Sequence, residues 1–410
     1  MKYIIAIPDG ASDTVSDFPN RQTPLAAADS PLMDELANCG QVGWAQNTPD
    51  GMHPGSDVAC LSIFGYNPAE IYSGRAPLEA ASLGIELGDD FAYRCNLVTI
   101  ADGKMKEFTA GHISTEEAEA LVKSLNEALS ADGVLFHPGV QYRHIMQTAA
   151  SNGEVKCTPP HDILDKDIAL YLPQGGSQDF VRGLMEKSIA VFDGHPVNQA
   201  RLAAGKPAAT QIWLWGQGPA PSLQPYSERI GLRGGVITAV DLIRGIGFLA
   251  GLEIKYVEGA TGLPDTNYEG KAEAALEVLQ KDDFVIVHVE STDEMGHAGD
   301  LKMKTQSVHD FDQRMLRILI DGLRGRGEDF RVLLLPDHPT PISIRTHNDD
   351  PVPFLLYDSR SPEVKGEGGY SEWAVNQRSQ KVLRGFRLLD ALAEKINIED
   401  ETIKTYSIQA

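Results

Sequence analysis

The sequence predicts an α/β protein: a largely parallel sheet flanked by helices, with a smaller inserted α+β domain. Three observations carry this. From Ala239 onward, helical stretches alternate regularly with the apolar, β-branched strands IKYVEG, FVIVHVE, RVLLLPDH and PVPFLLYD, as in a parallel sheet covered on both faces. The opening stretch KYIIAIPDG is another apolar strand, ending in Asp9. Between these regions, beyond about Gly103, short strands, helices and Gly/Pro-rich loops replace the regular alternation. The expected partition is a core of residues 1–105 and 206–410 around an insert of residues 106–205.

Taken in order, the strand ending at Asp9 is followed by a polar loop. Ser30-Pro31 opens a helix that closes at Gly40, with a cap, a proline in the first turn and a glycine past the end. A Pro-Gly turn delivers Ser56, and an apolar helical run follows at once. SGRAPLEAASLGIELG reads as a loop and a short helix with Arg75 at its entry, and Tyr93 to Ile100 as a strand. In the insert, Ser114 and Glu117 form a capping box for a helix that Gly133 ends. VLFHPGVQYRHIMQT reads as two strands about a Pro-Gly turn, and a helical stretch covers Asp179 to Leu202. Thr210 to Gly216 is a strand, and Gln217 to Gln224 a loop. Helices are expected over Val240–Leu252, Tyr268–Gln280 and Leu301–Leu323, and the tail from Trp373 to Ile396 reads as mostly helical.

The 410 residues carry a net charge of −22 and a pI near 4.9. That field argues against nucleic acid or an anionic membrane as partner, so an anionic substrate needs a local cluster of Arg, His or metal. Cys39, Cys60, Cys95 and Cys157 are scattered with no CxxC, which reads as free thiols in a reducing cytoplasm. No signal peptide is expected, because the apolar run Tyr3 to Pro8 is short and ends in Asp-Gly, and nothing approaches a membrane span. No segment specifies an oligomeric state.

The hydroxyl of Ser56 stands at a helix N-terminus, where free N–H groups favour an anion. Serine there is most often only a cap; a nucleophile gains weight from residues elsewhere. Asp293 and His297 follow strand FVIVHVE, Asp337 and His338 end an apolar strand, and His347 precedes another. With Asp9 and Ser56 these are seven oxygen or nitrogen donors, most at or just beyond the C-terminal ends of strands, where ligands bind in α/β sheets. Such donors suit Mn²⁺, Zn²⁺ or Mg²⁺ at a paired site. All seven fall within Asp9–Ser56 or Asp293–His347, as an inserted middle domain would produce.

The segments PDG, PGSDVACLSIFGY, SGRAPLEAASLGIELG, YRCNLVT, DEMGHAGD, PDH and THNDDPVP resemble the archaeal-type, cofactor-independent phosphoglycerate mutases of the alkaline phosphatase superfamily. The likeness runs over essentially the whole chain. It implies an alkaline phosphatase-like core with two divalent metals, manganese first and zinc, cobalt or magnesium as alternatives, and no 2,3-bisphosphoglycerate. Asp9, Ser56, Asp337 and His338 would hold one metal, and Asp293, His297 and His347 the other. Ser56 would carry the phosphoryl group while 2- and 3-phosphoglycerate interconvert, and the insert would be a cap over this small phosphorylated substrate. Arg75, Arg94, Arg143, His161 and Asp162 sit in family-like motifs as substrate contacts, and Arg suits bidentate phosphate and carboxylate binding. A homoserine kinase on the same scaffold, or a plain phosphomonoesterase, is the competing expectation.

Overall fold

In a computed structural model, residues 1–408 are described. The chain divides into two compact units, Met1–Tyr72 with Leu223–Ala410, and Ser73–Ser222. The strands in chain order are β1 (Lys2–Pro8), β2 (Gln41–Gln46), β3 (Phe91–Ala101), β4 (Lys104–Glu107) and β5 (Val134–His137). Then come β6 (Arg143–Thr148), β7 (Gln211–Pro219), β8 (Gly234–Ile237), β9 (Glu253–Lys255) and β10 (Phe284–Val289). Last are β11 (Phe330–Leu334), β12 (Val352–Asp358), β13 (Lys381–Arg384) and β14 (Thr402–Thr405).

The first unit holds a nine-stranded sheet in the order β14-β13-β2-β12-β11-β1-β10-β8-β9. From β11 to β9 every pairing is parallel. Ile4, Ile5, Ala6 and Ile7 of β1 are fully buried, because helices cover both faces and no position alternates outward. β12 runs antiparallel to both β11 and β2, so the sheet becomes mixed on that side.

Two expectations change here. The tail from Trp373 is helical over Glu372–Arg378 and over Leu388–Leu392, the latter entered by a 3-10 turn at Gly385–Arg387, but β13 lies between them. Val382 of β13 pairs with Trp44 on one side and Lys404 on the other, so distant partners override the local helical pattern. The helix expected over Leu301–Leu323 contains a π-helical turn, Phe311–Leu316. From that turn Asp312 accepts the N–H groups of Leu32 (3.3 Å) and Met33 (2.7 Å), capping the helix Pro31–Cys39. Ser30 makes no side-chain cap.

The second unit is built on a five-stranded antiparallel sheet, with β3 paired to β4, β6 and β7. Helices Thr115–Leu129 and Gln178–Phe192 bury Leu121, Leu125, Leu184 and Phe192 in the same core as Trp213 of β7. This unit is wider than residues 106–205. β3 precedes that span and β7 follows it, yet they pair with each other from Phe91–Pro219 to Val98–Gln211. Excising 106–205 alone would remove β6 from its β3 partner. The helix expected from Asp179 to Leu202 breaks at Gly194, whose φ is +66°, and resumes at Pro196–Ala203. Among the described residues no helix is long and apolar enough to cross a membrane.

Candidate active site

The parallel strand order brings the three segments of the first unit together. Asp9 follows β1; Asp293 and His297 lie on the helix Ser291–Ala298 after β10; Asp337 and His338 follow β11. His297 Nε2 stands 3.1 Å from Asp293 Oδ2 and 3.0 Å from His347 Nε2, and His347 Nε2 is 3.4 Å from Asp293 Oδ1. His347 stacks on His338, ring centroids 3.7 Å apart. His338 Nε2 lies 3.2 Å from Asp337 Oδ2, 3.7 Å from Asp9 Oδ1 and 3.1 Å from Ser56 Oγ. All seven donors share one site. Among the described residues, two groups are close enough to hold an ion: Asp293, His297 and His347, and Asp9, Asp293 and His338. The second differs from the set the resemblance implies, with Asp293 reaching toward both groups.

Ser56 opens the helix Ser56–Ile63, whose N-cap is Gly55, and no side chain caps that helix. Its hydroxyl therefore faces His338 rather than its own backbone. Next to it, Asp57 accepts from the Tyr72 hydroxyl at 2.5 Å and from Val58 N–H at 3.0 Å. Cys60, one turn on, is buried with its Sγ 3.7 Å from Asp337 Oδ2; burial, with Asp337 and Asp9 beside it, pushes this thiol well up.

The electrostatics show a site short of positive charge. Asp9, Asp293 and Asp337 are all buried, and Asp9 Oδ1 has no hydrogen-bond partner among the described residues. Burial, then Asp337, Asp293 and Glu290, raise the Asp9 carboxyl well above the usual range. Burial would raise Asp293 too, but hydrogen bonds from His297 and His347 hold it well below. The same Asp293 bond raises His297 to about 9, whereas burial lowers His338. An orphaned carboxylate oxygen among two further buried carboxylates and three imidazoles fits divalent cations.

Several supporting residues carried no distinctive sequence signal. Thr340 Oγ1 hydrogen-bonds Asp293 Oδ1 and lies 3.3 Å from His338 Nδ1. A carboxylate only accepts, so the hydroxyl gives its hydrogen to Asp293 and receives that of Nδ1. The Nε2 lone pair of His338 is thereby turned into the cluster. Gly10, with φ +61°, donates to Asp337 Oδ1 at 3.0 Å; a Cβ there would fall 2.6 Å from Asp293 Oδ1. Lys304, fully buried, donates to Ser12 O (3.1 Å), Asp13 Oδ2 (3.1 Å) and Thr340 O (2.8 Å), tying the loop after β1 to the loop after β11. Glu372 accepts Asp13 N–H at 3.0 Å and the Thr23 hydroxyl at 2.6 Å; burial pushes it up to about 7.

The five expected substrate contacts all lie in the second unit. Arg75 Nε (2.9 Å) and Arg94 Nε (2.8 Å) take the two oxygens of one carboxylate, Glu79. Arg94 is buried, its guanidinium 4.3 Å from the centroid of the Trp215 ring. Burial, opposed by Glu79, lowers Arg94 to about 10. Burial would raise Glu79, but Arg94 and Arg75 lower it. Arg143 stands opposite Asn96 in the β3–β6 register, and its charge reaches both Glu79 and Arg94. His161 meets the Trp215 ring edge-on at 5.2 Å. Asp162 is exposed, 3.8 Å from His161. Trp215 Nε1 donates to Asn96 Oδ1 at 3.1 Å. The sequence reading singled out neither Trp215 nor Glu79; a tryptophan in an apolar strand and a glutamate on a helix are ordinary in a core and on a surface.

Comparison with known proteins places the chain among close relatives. A family model described as 2,3-bisphosphoglycerate-independent phosphoglycerate mutase matches residues 37–198. A protein of that name from Methanosarcina acetivorans is 46% identical, over 96% of this chain and 100% of its own length. One from Methanothrix thermoacetophila is 48% identical, over 94% and 100%. A Geobacter sulfurreducens protein, named as a probable enzyme of this kind, is 45% identical over 96% and 100%. Among solved structures, a Pyrococcus horikoshii protein superposes with a TM-score of 0.79 at 27% identity, covering 97% of this chain and 98% of that one. A cofactor-independent phosphoglycerate mutase from Thermoplasma acidophilum shares the fold, with a TM-score of 0.65 at 22% identity over 96% and 99%.

Proposed function

The chain belongs to the 2,3-bisphosphoglycerate-independent phosphoglycerate mutase family, and we propose that it interconverts 3-phosphoglycerate and 2-phosphoglycerate through a phosphorylated Ser56. The observation that carries this reading is the uncapped Ser56 hydroxyl, at a helix N-terminus and within the cluster of six other donors.

In this reading Asp9, Ser56, Asp337 and His338 hold one divalent cation and Asp293, His297 and His347 a second, manganese first and zinc, cobalt or magnesium as other occupants. When bound, such cations neutralise phosphoryl charge and make the serine hydroxyl more acidic. Ser56 Oγ forms a bond to phosphorus as the bond from phosphorus to the glycerate 3-oxygen breaks. The proton lost by Ser56 is matched by one gained on the departing oxygen. Attack by the glycerate 2-hydroxyl then breaks the Oγ–P bond and restores Ser56. The first-turn N–H groups behind Ser56 favour the phosphoryl oxygens.

Between the two steps glycerate must be held by its carboxylate. Arg75, Arg94 and Arg143 have the chemistry for it, since Arg forks bind carboxylates and phosphates bidentately. Glu79 and Trp215 keep two of these forks in fixed orientations. His161 and Asp162 are further substrate contacts in this reading. The four cysteines are unpaired, which favours a reducing, cytoplasmic setting.

The test is turnover by purified, manganese-loaded protein of 3-phosphoglycerate without 2,3-bisphosphoglycerate, with 2-phosphoglycerate followed by coupled enolase absorbance. Appearance of 2-phosphoglycerate supports the proposal. Its absence, with O-phosphohomoserine formed instead from homoserine and ATP, would overturn it.

A further inference from the structure

One buried relay leads away from the site and is used by none of the steps above. It crosses three neighbouring strand ends. Thr238 follows β8, His288 lies on β10, and Asp9 follows β1; β10 pairs with both of the other strands. Val240 N–H donates to Thr238 Oγ1 at 3.0 Å. Thr238 Oγ1 is 3.1 Å from His288 Nδ1, and His288 Nε2 is 2.9 Å from Asp9 Oδ2. Thr238, His288 and Asp9 are all buried, so water does not compete for these bonds.

The hydrogens of the relay follow from its ends. In the ionised form that holds a cation, Asp9 accepts and does not donate, so Nε2 carries the hydrogen given to Asp9 Oδ2. Thr238 has already spent a lone pair on Val240 and has its own hydrogen free for Nδ1. The ring is thus fixed at both nitrogens, and it holds the Asp9 carboxylate at Oδ2. The other carboxylate oxygen, Oδ1, is the one without a hydrogen-bond partner among the described residues, and it lies on the His338 side, 3.7 Å from Nε2.

We infer that His288, oriented by Thr238, is a positioning residue that holds Asp9 by Oδ2 so that Oδ1 is presented to the cation. The inference rests on the reading of Asp9 as a cation-holding residue. A fixed outer partner makes a carboxylate ligand more effective because the carboxylate need not be ordered at the moment of binding. The sequence disguises this role: His288 sits in the apolar run FVIVHVE, where its neighbours mark only a buried strand.

The experiment is Mn²⁺ titration of the full-length, demetallated protein, with free Mn²⁺ read by electron paramagnetic resonance and thermal stability measured alongside. His288→Leu removes the donor and should weaken Mn²⁺ binding by ~10–100-fold. His288→Gln places an amide nitrogen near the position of Nε2 and should recover most of that loss. Thr238→Val should weaken binding several-fold, and Thr238→Ser should restore it. Wild-type affinity in His288→Leu, or equal weakening in His288→Leu and His288→Gln with matching losses of stability, would reduce the residue to a packing role and overturn the inference. Should His288→Leu not fold, the Thr238 pair decides, and equal affinities for Thr238→Val and Thr238→Ser refute it. Asp9→Asn separates the underlying reading. If that variant binds Mn²⁺ like wild type, Asp9 does not hold the cation and the inference falls with it; if it binds weakly while His288→Leu does not, only the inference fails.

Discussion

Replacing Lys304 by Met tests how the site's two main loops are held together. The ammonium group joins Ser12 O and Asp13 Oδ2 on one loop to Thr340 O on the other, with no exposure of the lysine. Methionine fills similar volume but donates nothing, so Asp13 becomes a buried carboxylate without its cation. Breaking one partner of a buried pair costs about 3–5 kcal/mol. Asp13 keeps the N–H groups of Thr14 (2.9 Å) and Ile342 (3.2 Å), which puts the loss at the low end, ~3 kcal/mol. For a unit of this size that is a fall of roughly 6 °C in Tm. Urea denaturation followed by circular dichroism, in EDTA and again in excess Mn²⁺, measures it. The gap should widen in Mn²⁺, because loosened loops bind the ion less well and gain less from it. Adding Asp13→Asn to the variant should recover part of the loss by removing the unpaired charge. A single variant within ~0.5 kcal/mol of wild type, or a double variant no better than the single, would refute the argument.

Three further outcomes are expected. Ser56→Ala should fold, with a Tm in EDTA close to wild type because it loses the contact to His338 but no helix cap, yet turnover should drop by ~10³-fold or more; near-normal turnover sinks the phosphoserine reading. Gly10→Ala forces a non-glycine residue to φ +61° with its Cβ 2.5 Å from Thr340 Oγ1, costing ~1–3 kcal/mol and weakening Mn²⁺ binding, which titration would show; a Gly10→Ala variant as stable and as tight-binding as wild type rejects the close approach. His297, raised to about 9 by Asp293, is protonated at neutral pH in the ion-free protein, and a cation needs the neutral ring. Mn²⁺ binding should therefore release a proton at pH 7 and tighten as pH rises toward 9, whereas the His297 contribution to ion-free stability is full below ~6.5 and is lost as pH rises through about 9. Calorimetry in two buffers of different ionisation enthalpy reads the proton, and no release at pH 7 contradicts the pairing.

The donors readable in the sequence share a property: each sits beside a break in local pattern. Asp9, Asp337 and His338 end apolar runs, and Ser56 follows a Pro-Gly turn. Strand ends in a parallel sheet converge, so the list was legible before its geometry was. Residues that act through a tertiary partner were not. His288 and Lys304 look like interruptions of a strand and a helix until Asp9 and Asp13, nearly 300 residues away, come beside them. β13 and the edges of the second unit fail for the same reason, because Trp44 and β7 decide them from far along the chain. Glu79 shows a further limit: an i,i+4 partner for Arg75 would have been read as a surface pair, and only the fold brings Arg94 to its other oxygen.

The placement of β1 between β10 and β11 sets an order of events on the ribosome. The strand leaves the exit tunnel long before its neighbours, which begin at Phe284 and Phe330. At ~5–20 residues per second, an apolar segment waits on the order of 15–55 s for its first partner. During that wait the second unit, contiguous from Ser73 to Ser222, can complete its own sheet. The nascent chain can therefore carry a finished middle while β1, apolar from Ile4 to Ile7, is still unpaired, and slow synthesis exposes it longest.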